Sequence, residues 1–187
     1  MTAMMLDVRQ PTDGELARRA SGGDRDAFAA LVERHYDFIF RMAYRLIGRR
    51  ADAEDMAQEV CVKLGRAIAS YRAGSAFTTW LYAIVLNVAR DAMRKSAREA
   101  RKAAAFGLHT LTEGTATEMP DDPVEALWEA VRQLPDKQRE AVTLVYGEGL
   151  SHAEAADVMA VAEPTVSWHI HEAKKRLKAH LRPAGEV

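Results

Sequence analysis

The sequence has one cysteine, Cys61, in 187 residues. That excludes an internal disulfide, and a lone thiol cannot assemble a zinc site by itself. No run of eighteen uncharged apolar residues occurs, so there is no candidate membrane span. Met1 to Gln10 lacks the basic-then-apolar order of a secretory signal. The expected compartment is therefore a reducing cytoplasm, with no membrane contact by the chain itself. Net charge is scarce as well: 26 Lys and Arg against 27 Asp and Glu leave a formal −1. Binding to nucleic acid through bulk positive charge is excluded, and any DNA affinity must come from local segregation of charge. The sequence has no phosphate-cradling Gly-rich loop, no nucleophile elbow and no metal-ligand cluster, so neither catalysis nor a cofactor is expected. Strand-like alternation is missing too.

What remains is an ordinary globular balance, 48% hydrophobic and 28% charged, which argues against wholesale disorder. The length suits one ordinary domain or two small ones. The apolar periodicity is helical almost throughout. Phe28, Leu31, Val32, Ile39, Met42, Ala43 and Leu46 line one face of a long helix that stops near Gly48. A second helix starts after Asp52 and turns Met56, Val60, Leu64 and Ile68 inward. After a turn at Tyr71 to Ser75, a third runs from about Ala76 and buries Phe77, Leu81, Ile84, Val85, Val88 and Ala92. Between Glu99 and Asp121 periodicity fails and Gly107, Gly114 and Pro120 collect, which reads as a linker. Asp122-Pro123 restarts helix as an N-cap followed by Pro at the first helical position. Pro135 opens another, and Ser151-x-x-Glu154 is a capping box. The expectation is all-α: two small helical domains on a flexible linker. The boundaries are an N-terminal extension at 1–23 with a short helix at Asp13 to Ala20, domains at 24–98 and 122–182, a linker at 99–121 and a tail at 183–187.

Residues 150–181 have the layout of a helix-turn-helix, a short capped helix, a turn at Ala160 to Glu163 and a longer second helix. In that motif the second helix enters the major groove by its N-terminal residues. Here those are Glu163, Thr165, Ser167, Trp168 and His169, while Lys174, Lys175, Arg176, Lys178 and Arg182 concentrate positive charge at the far end for phosphates. A plain helical hairpin with a solvated basic face, and a packed Trp168, fit the same spacing. His169, His171 and His180 match no zinc signature.

The segments Leu134-Pro-Asp-Lys-Gln-Arg-Glu-Ala-Val, Gly149-Leu-Ser-His-Ala-Glu-Ala-Ala, Thr165-Val and Ala173-Lys-Lys-Arg-Leu together resemble region four of the sigma-70 family. The resemblance implies a domain that binds the −35 promoter element, through Thr165, Ser167, Trp168, His169, Lys174, Lys175 and Arg176, and touches the polymerase β flap. It departs from the family at Ser167, His169 and Glu172, where basic residues are common, and at Pro164, where glycine often stands.

In the first half, Asp52-Ala-Glu-Asp55-Met-Ala-Gln58-Glu59-Val places Asp52, Asp55 and Glu59 three and four apart, on one helix face with Gln58 beside them. A solvated surface is the bland reading. The segment resembles sigma region 2.2, which implies docking on the β′ clamp helices of core RNA polymerase; an acidic stripe suits a basic partner. Next, Tyr71-Arg-Ala-Gly-Ser-Ala-Phe-Thr-Thr-Trp80-Leu-Tyr-Ala-Ile-Val-Leu-Asn87-Val-Ala-Arg90 resembles regions 2.3 and 2.4, which melt and read the −10 element. Trp80 and Tyr82 are candidates for stacking on extruded bases, worth roughly 1–3 kcal/mol each. Asn87 can read a base edge. By the same resemblance, the loop from Arg72 through Ser75 to Phe77 helps form a base pocket. From Arg90 to Lys102 six positive charges, Arg90, Arg94 and Lys95 among them, face two negative ones. An exposed helix end favoured by its dipole is the alternative.

About twenty linker residues span at most roughly 70 Å, comparable with two turns of B-DNA. The resemblance runs from about Asp24 to Arg182, with region four following region two directly, which implies the small extracytoplasmic-function (group four) type. The expected function is an alternative sigma factor that recognises −10 and −35 elements, helps open the DNA and is held by an anti-sigma factor. Two rivals stand beside it. One is a conventional helix-turn-helix regulator, and the other is an interaction module that only mimics sigma domains.

Overall fold

A computed structural model describes residues 10–72, 76–105 and 122–180. All regular structure among the described residues is helical. None of those helices is long and apolar enough to cross a membrane.

The first domain is built on α1 (Asp13–Ser21), α2 (Arg25–Ile47), α3 (Arg50–Ala67) and α4 (Phe77–Ala105), with a 3₁₀ turn at Ile68–Ser70. Thr12 starts α1 in a reciprocal capping box: its hydroxyl accepts from the Glu15 N–H, and the Glu15 carboxylate accepts from the Thr12 N–H at 2.7 Å. Leu16, Ala17 and Ala20 of α1 are buried against α2 and its neighbours. The N-terminal helix is thus part of the first core rather than an extension outside it. Asp13 ties it further, accepting from Arg34 at 2.6 Å and lying 2.9 Å from His35 Nε2.

Asp24 caps α2 by accepting from the Asp26 and Ala27 N–H groups. The helix ends at Gly48, whose φ of 86° only glycine adopts freely. A Cβ there would also lie 2.5 Å from Arg132 Nε, a side chain of the second domain. The inward stripes are those the periodicity predicts: Leu31, Ile39, Met42 and Leu46 on α2, Met56, Val60 and Leu64 on α3, and Leu81, Val85 and Val88 on α4. One boundary differs. The expected linker begins at Glu99, yet α4 continues to Ala105. Residues 100–105 are Ala, Arg and Lys, strong helix formers that carry the helix outward with no apolar face to bury. The rest of the expected linker, 106–121, lies outside the described residues, as does the tail.

The second domain holds α5 (Pro123–Arg132), α6 (Asp136–Val142), α7 (His152–Met159) and α8 (Glu163–His180). Asp122 accepts from the Val124 N–H at 2.9 Å, with Pro123 at the first helical position, as read from sequence. α6 widens at its end into a π turn over Thr143–Gly147, closed by a bond from the Glu148 N–H to the Thr143 carbonyl at 3.0 Å. Ser151 and Glu154 form the predicted capping box on α7. The turn into α8 passes through Ala160 at φ 55°, with the Val161 N–H donating to the Ala156 carbonyl at 3.1 Å. Val166, Ile170 and Ala173 of α8 are buried. The two domains pack on each other, α2 against α5 and the π turn, and α4 against α7.

Because Leu16 is only 2% exposed, Leu16→Ala is expected to destabilise the first domain by about 2–5 kcal/mol. Urea denaturation followed by circular dichroism measures this, and an unchanged midpoint would make α1 an appendage.

Candidate nucleic-acid interface

The acidic stripe lies on the outer face of α3. Asp55, Gln58 and Glu59 are exposed, and Val62, one turn on, is 52% exposed. Asp52 is half-buried and stands 3.4 Å from Arg49, while Glu59 reaches Lys63 at 3.3 Å. Both pairs are largely solvated and worth little, so this face remains open to a partner.

The α4 side is more crowded than the spacing predicts. Phe77, Tyr71 and Trp80 form an aromatic cluster with centroids 5.2–5.9 Å apart, and His35 packs 5.4 Å from Phe77. Phe77 is 2% exposed. Its side chain therefore belongs to the core of the first domain. Trp80 and Tyr82 are half-buried, with Tyr82 edge-on to Phe38 at 4.8 Å. Burial, and then the charge of Glu148, push the Tyr82 phenol up to about 12. Arg72 is exposed, and Ser75 lies outside the described residues. A cleft of about 290 Å³ separates Thr78, Thr79 and Tyr82 from Glu148, Gly149, Leu150 and Glu154 of the second domain.

Asn87 is exposed, its Oδ1 accepting from Arg90 at 3.2 Å. Arg90 itself is engaged elsewhere. Its Nε and Nη2 donate to the two oxygens of Glu140, both at 2.7 Å, and Lys137 donates to the same carboxylate at 3.1 Å. Glu140 is 1% exposed. Burial alone would raise its pKa; the Arg90 hydrogen bonds, the Arg90 charge and Lys137 outweigh that and hold it below the usual carboxylate range. Farther along α4, Arg94 donates to Asp91 at 2.5 Å, and Arg94 and Lys95 stay exposed.

On the recognition helix α8 the expected contacts divide. The Ser167 hydroxyl lies 2.8 Å from His152 Nδ1 of α7, a polar tie between the two helices beside their apolar contact. His169 is half-buried; burial, and then Lys137, lower its pKa, and its Nδ1 has no hydrogen-bond partner among the described residues. Ser167 is thus engaged within the domain, and His169 has one ring nitrogen turned inward. Trp168 is 55% exposed, with the His169 ring 5.0 Å away. Thr165 is half-buried, while Lys174, Lys175 and Arg176 are exposed, Lys174 standing over the Tyr146 ring at 5.2 Å. Arg182 lies outside the described residues.

The structure adds a set of residues the sequence reading missed, along the seam between the domains. Arg45 of α2 donates to the Gly147 carbonyl at 2.6 Å and to Glu148, and lies over the Trp128 ring at 5.0 Å. Arg41 stands 3.6 Å from the other oxygen of Glu148, whose side chain is 4% exposed. Arg139 reaches back to the Leu46 carbonyl at 3.3 Å and the Met93 sulfur at 3.0 Å. The only local signal was Arg41 and Arg45 on an otherwise apolar stretch of helix. Nothing local names partners about a hundred residues away.

Two family models match the chain: Sigma-70 region 2 over residues 31–99 and Sigma-70, region 4 over residues 124–177. The chain is similar to the ECF RNA polymerase sigma factor SigW of Bacillus subtilis, at 32% identity over 88% of this chain and 94% of that protein. It also resembles CnrH in the structure of CnrH in complex with the cytosolic domain of CnrY. That match has 29% identity and a TM-score of 0.66, over 90% of this chain and 96% of the other. The fold is shared with the sigma factor RpoE, co-crystallised with the anti-sigma factor NepR from Bartonella quintana. Here identity is 24% and the TM-score 0.68, over 84% and 98% of the two chains.

Since Glu140 titrates below its ordinary 4.5 in the folded chain, its pairing stabilises the fold above that pH. The stabilisation is lost as pH falls through the lowered value. Urea midpoints measured from about pH 6 down to 3 are expected to decline less steeply in Glu140→Gln than in the wild type. Parallel declines would place the acid sensitivity in other carboxylates.

Proposed function

The chain belongs to the sigma-70 family, in its extracytoplasmic-function branch, and from that premise we propose a division of labour among its surfaces. As an alternative sigma factor it binds core RNA polymerase and directs transcription initiation at promoters carrying −10 and −35 elements. It acts as an adaptor, supplying recognition to an enzyme it does not itself contain, and works in the cytoplasm where that polymerase is.

The exposed face of Asp55, Gln58 and Glu59, with Asp52 at its edge, docks on the β′ clamp helices. Asn87 reads a −10 base edge, with Trp80 and Tyr82 offering partly exposed rings beside it and Arg90, Arg94 and Lys95 holding the freed strand's phosphates. Arg72, exposed before α4, contributes to holding a flipped base, while Phe77 keeps the start of α4 anchored in the core. In the second domain, α8 enters the −35 major groove at Thr165 and Trp168, while Lys174, Lys175 and Arg176 take phosphates. Ser167 and His169 set its pose, and the domain also meets the β flap. One observation carries the assignment. The first domain presents an open acidic face on α3 and the exposed Asn87 on α4, which packs against α3, so polymerase and DNA contacts stand side by side on one small bundle. The likeness to RpoE, a sigma factor crystallised with an anti-sigma factor, supports a regulator of that kind here.

In vitro transcription with purified core polymerase on a pooled promoter library tests the reading: new starts sharing two motifs about two helical turns apart are expected. Asn87→Ala should lower −10-dependent opening while polymerase binding holds; equal loss of both would refute the division. Asp55→Arg should weaken core binding by about tenfold or more, because a cation would meet the basic clamp. Normal binding by that variant would return the stripe to plain solvated surface.

A further inference from the structure

The entering half of α8 offers a base pair little to hydrogen-bond with. From Glu163 to Ala173 the helix carries two glutamates and no lysine, arginine, asparagine or glutamine, and its cations begin at Lys174. The paired N–H donors that grip guanine O6 and N7, and the side-chain amide that pairs with adenine, are both missing from the turns that enter the groove. The exposed His171 bears one N–H in its neutral ring, short of a pair. Val166, Ile170 and Ala173 are buried in the domain's core, and Ser167 is held 2.8 Å from His152 Nδ1. His169 turns its Nδ1 inward; burial first, and then Lys137, lower its pKa, so the ring is uncharged at neutral pH. Trp168 is the large group left outside, 55% exposed, with the His169 ring 5.0 Å away to brace the indole.

We propose that Trp168 is the specificity-determining residue of the −35 contact and that it reads a thymine by its 5-methyl group. The proposal rests on the reading of α8 as the −35 helix. In the major groove thymine alone carries that methyl, and the O4 acceptor stands beside it. An indole has the matching pair, a wide apolar face and a single N–H. Guanine presents two acceptors there, O6 and N7, to a stretch whose only formal charges are the carboxylates of Glu163 and Glu172. The indole stands on a packed helix and against the His169 ring, so it loses little freedom when it meets a base. Lys174, Lys175 and Arg176 hold phosphates and fix the register, but phosphate contacts carry no sequence information. The upstream element of this chain therefore contains a required thymine, and its methyl group is what the protein recognises.

The test uses the full chain with core polymerase at one fixed salt concentration. Starts selected from the pooled promoter library define the upstream element. In one such promoter each −35 thymine, on either strand, is replaced by deoxyuridine, which removes only the methyl group. Titration of labelled duplex with holoenzyme reads the affinity. The wild type is expected to lose about fourfold at one thymine, the worth of one methyl group returned to water, whereas Trp168→Ala binds the thymine and uracil duplexes equally. Trp168→Phe, which keeps an apolar ring and loses the N–H, should retain most of the methyl effect. A uracil penalty that persists in Trp168→Ala overturns the inference, because another group then reads the methyl. So does an upstream element of guanine or cytosine with no thymine whose methyl matters; a required cytosine would make Glu172 the reader. If circular dichroism shows Trp168→Ala unfolded, Trp168→Gln takes its place in the same comparison. Failure to initiate anywhere in the library sinks the sigma-factor reading itself, since thymine recognition bears only on the choice among promoters.

Discussion

A carboxylate that is 1% exposed and still ionised must have its charge matched, and in this chain the match comes from the other domain. Glu140 sits on α6 among Ala141, Val142 and Leu144, in the core of the second domain, yet its main partner is Arg90 of α4. That requirement fixes where α6 lies against the first domain. With α6 placed, Arg139 falls on the carboxyl end of α2, and the π turn swings the Gly147 carbonyl and Glu148 onto Arg45. Trp128 then covers the Arg45 guanidinium from α5. Each domain is held by its own Leu, Ile and Val, whereas the seam between them is set by charge satisfaction. Apolar seams bind strongly and choose poorly; a seam of matched buried charges chooses its register but gains little net free energy from the ions.

The same economy runs along α4. Its first turns bury Phe77, Leu81 and Val85, its middle turns Asn87 outward between Leu86 and Val88, and its last turns carry cations into solvent. One continuous helix therefore ties the core, the proposed base reader and the phosphate contacts into a rigid order. Reading groups on a packed helix lose less conformational freedom on binding than the same groups on a loop.

Local signals in the sequence were dependable where local physics decides the outcome. Asp122-Pro123, the Ser151–Glu154 box and Gly48 each satisfy or terminate backbone hydrogen bonds within four residues, and each lies where the spacing puts it. Core stripes were legible for the same reason: period alone shows which face is apolar. The extension of α4 to Ala105 was hidden because Gly107 and the threonines beyond drew the boundary too early, although the six residues before them favour helix. Phe77 was ambiguous, since an aromatic residue beside a loop looks the same in sequence whether it lines a pocket or supports one. The seam was not legible at all. Arg45 and Glu148 are 103 positions apart, and no periodicity links them.

The recognition helix shows how a local chemical choice reshapes a proposed function. Residues at its start that resemble base readers by position are spent on structure: Ser167 joins His152, and His169 turns its Nδ1 into a buried site. The exposed cations Lys174, Lys175 and Arg176 come two turns later, where a helix entering the groove by its first turns meets phosphates rather than base edges. Trp168 is left as the large exposed group at the entering end. Its indole offers apolar surface and a single N–H donor, so it favours thymine methyl groups and single acceptors over the bidentate guanine contact that arginine makes. The proposed −35 reading therefore draws its affinity from one end of α8 and its selectivity from the other.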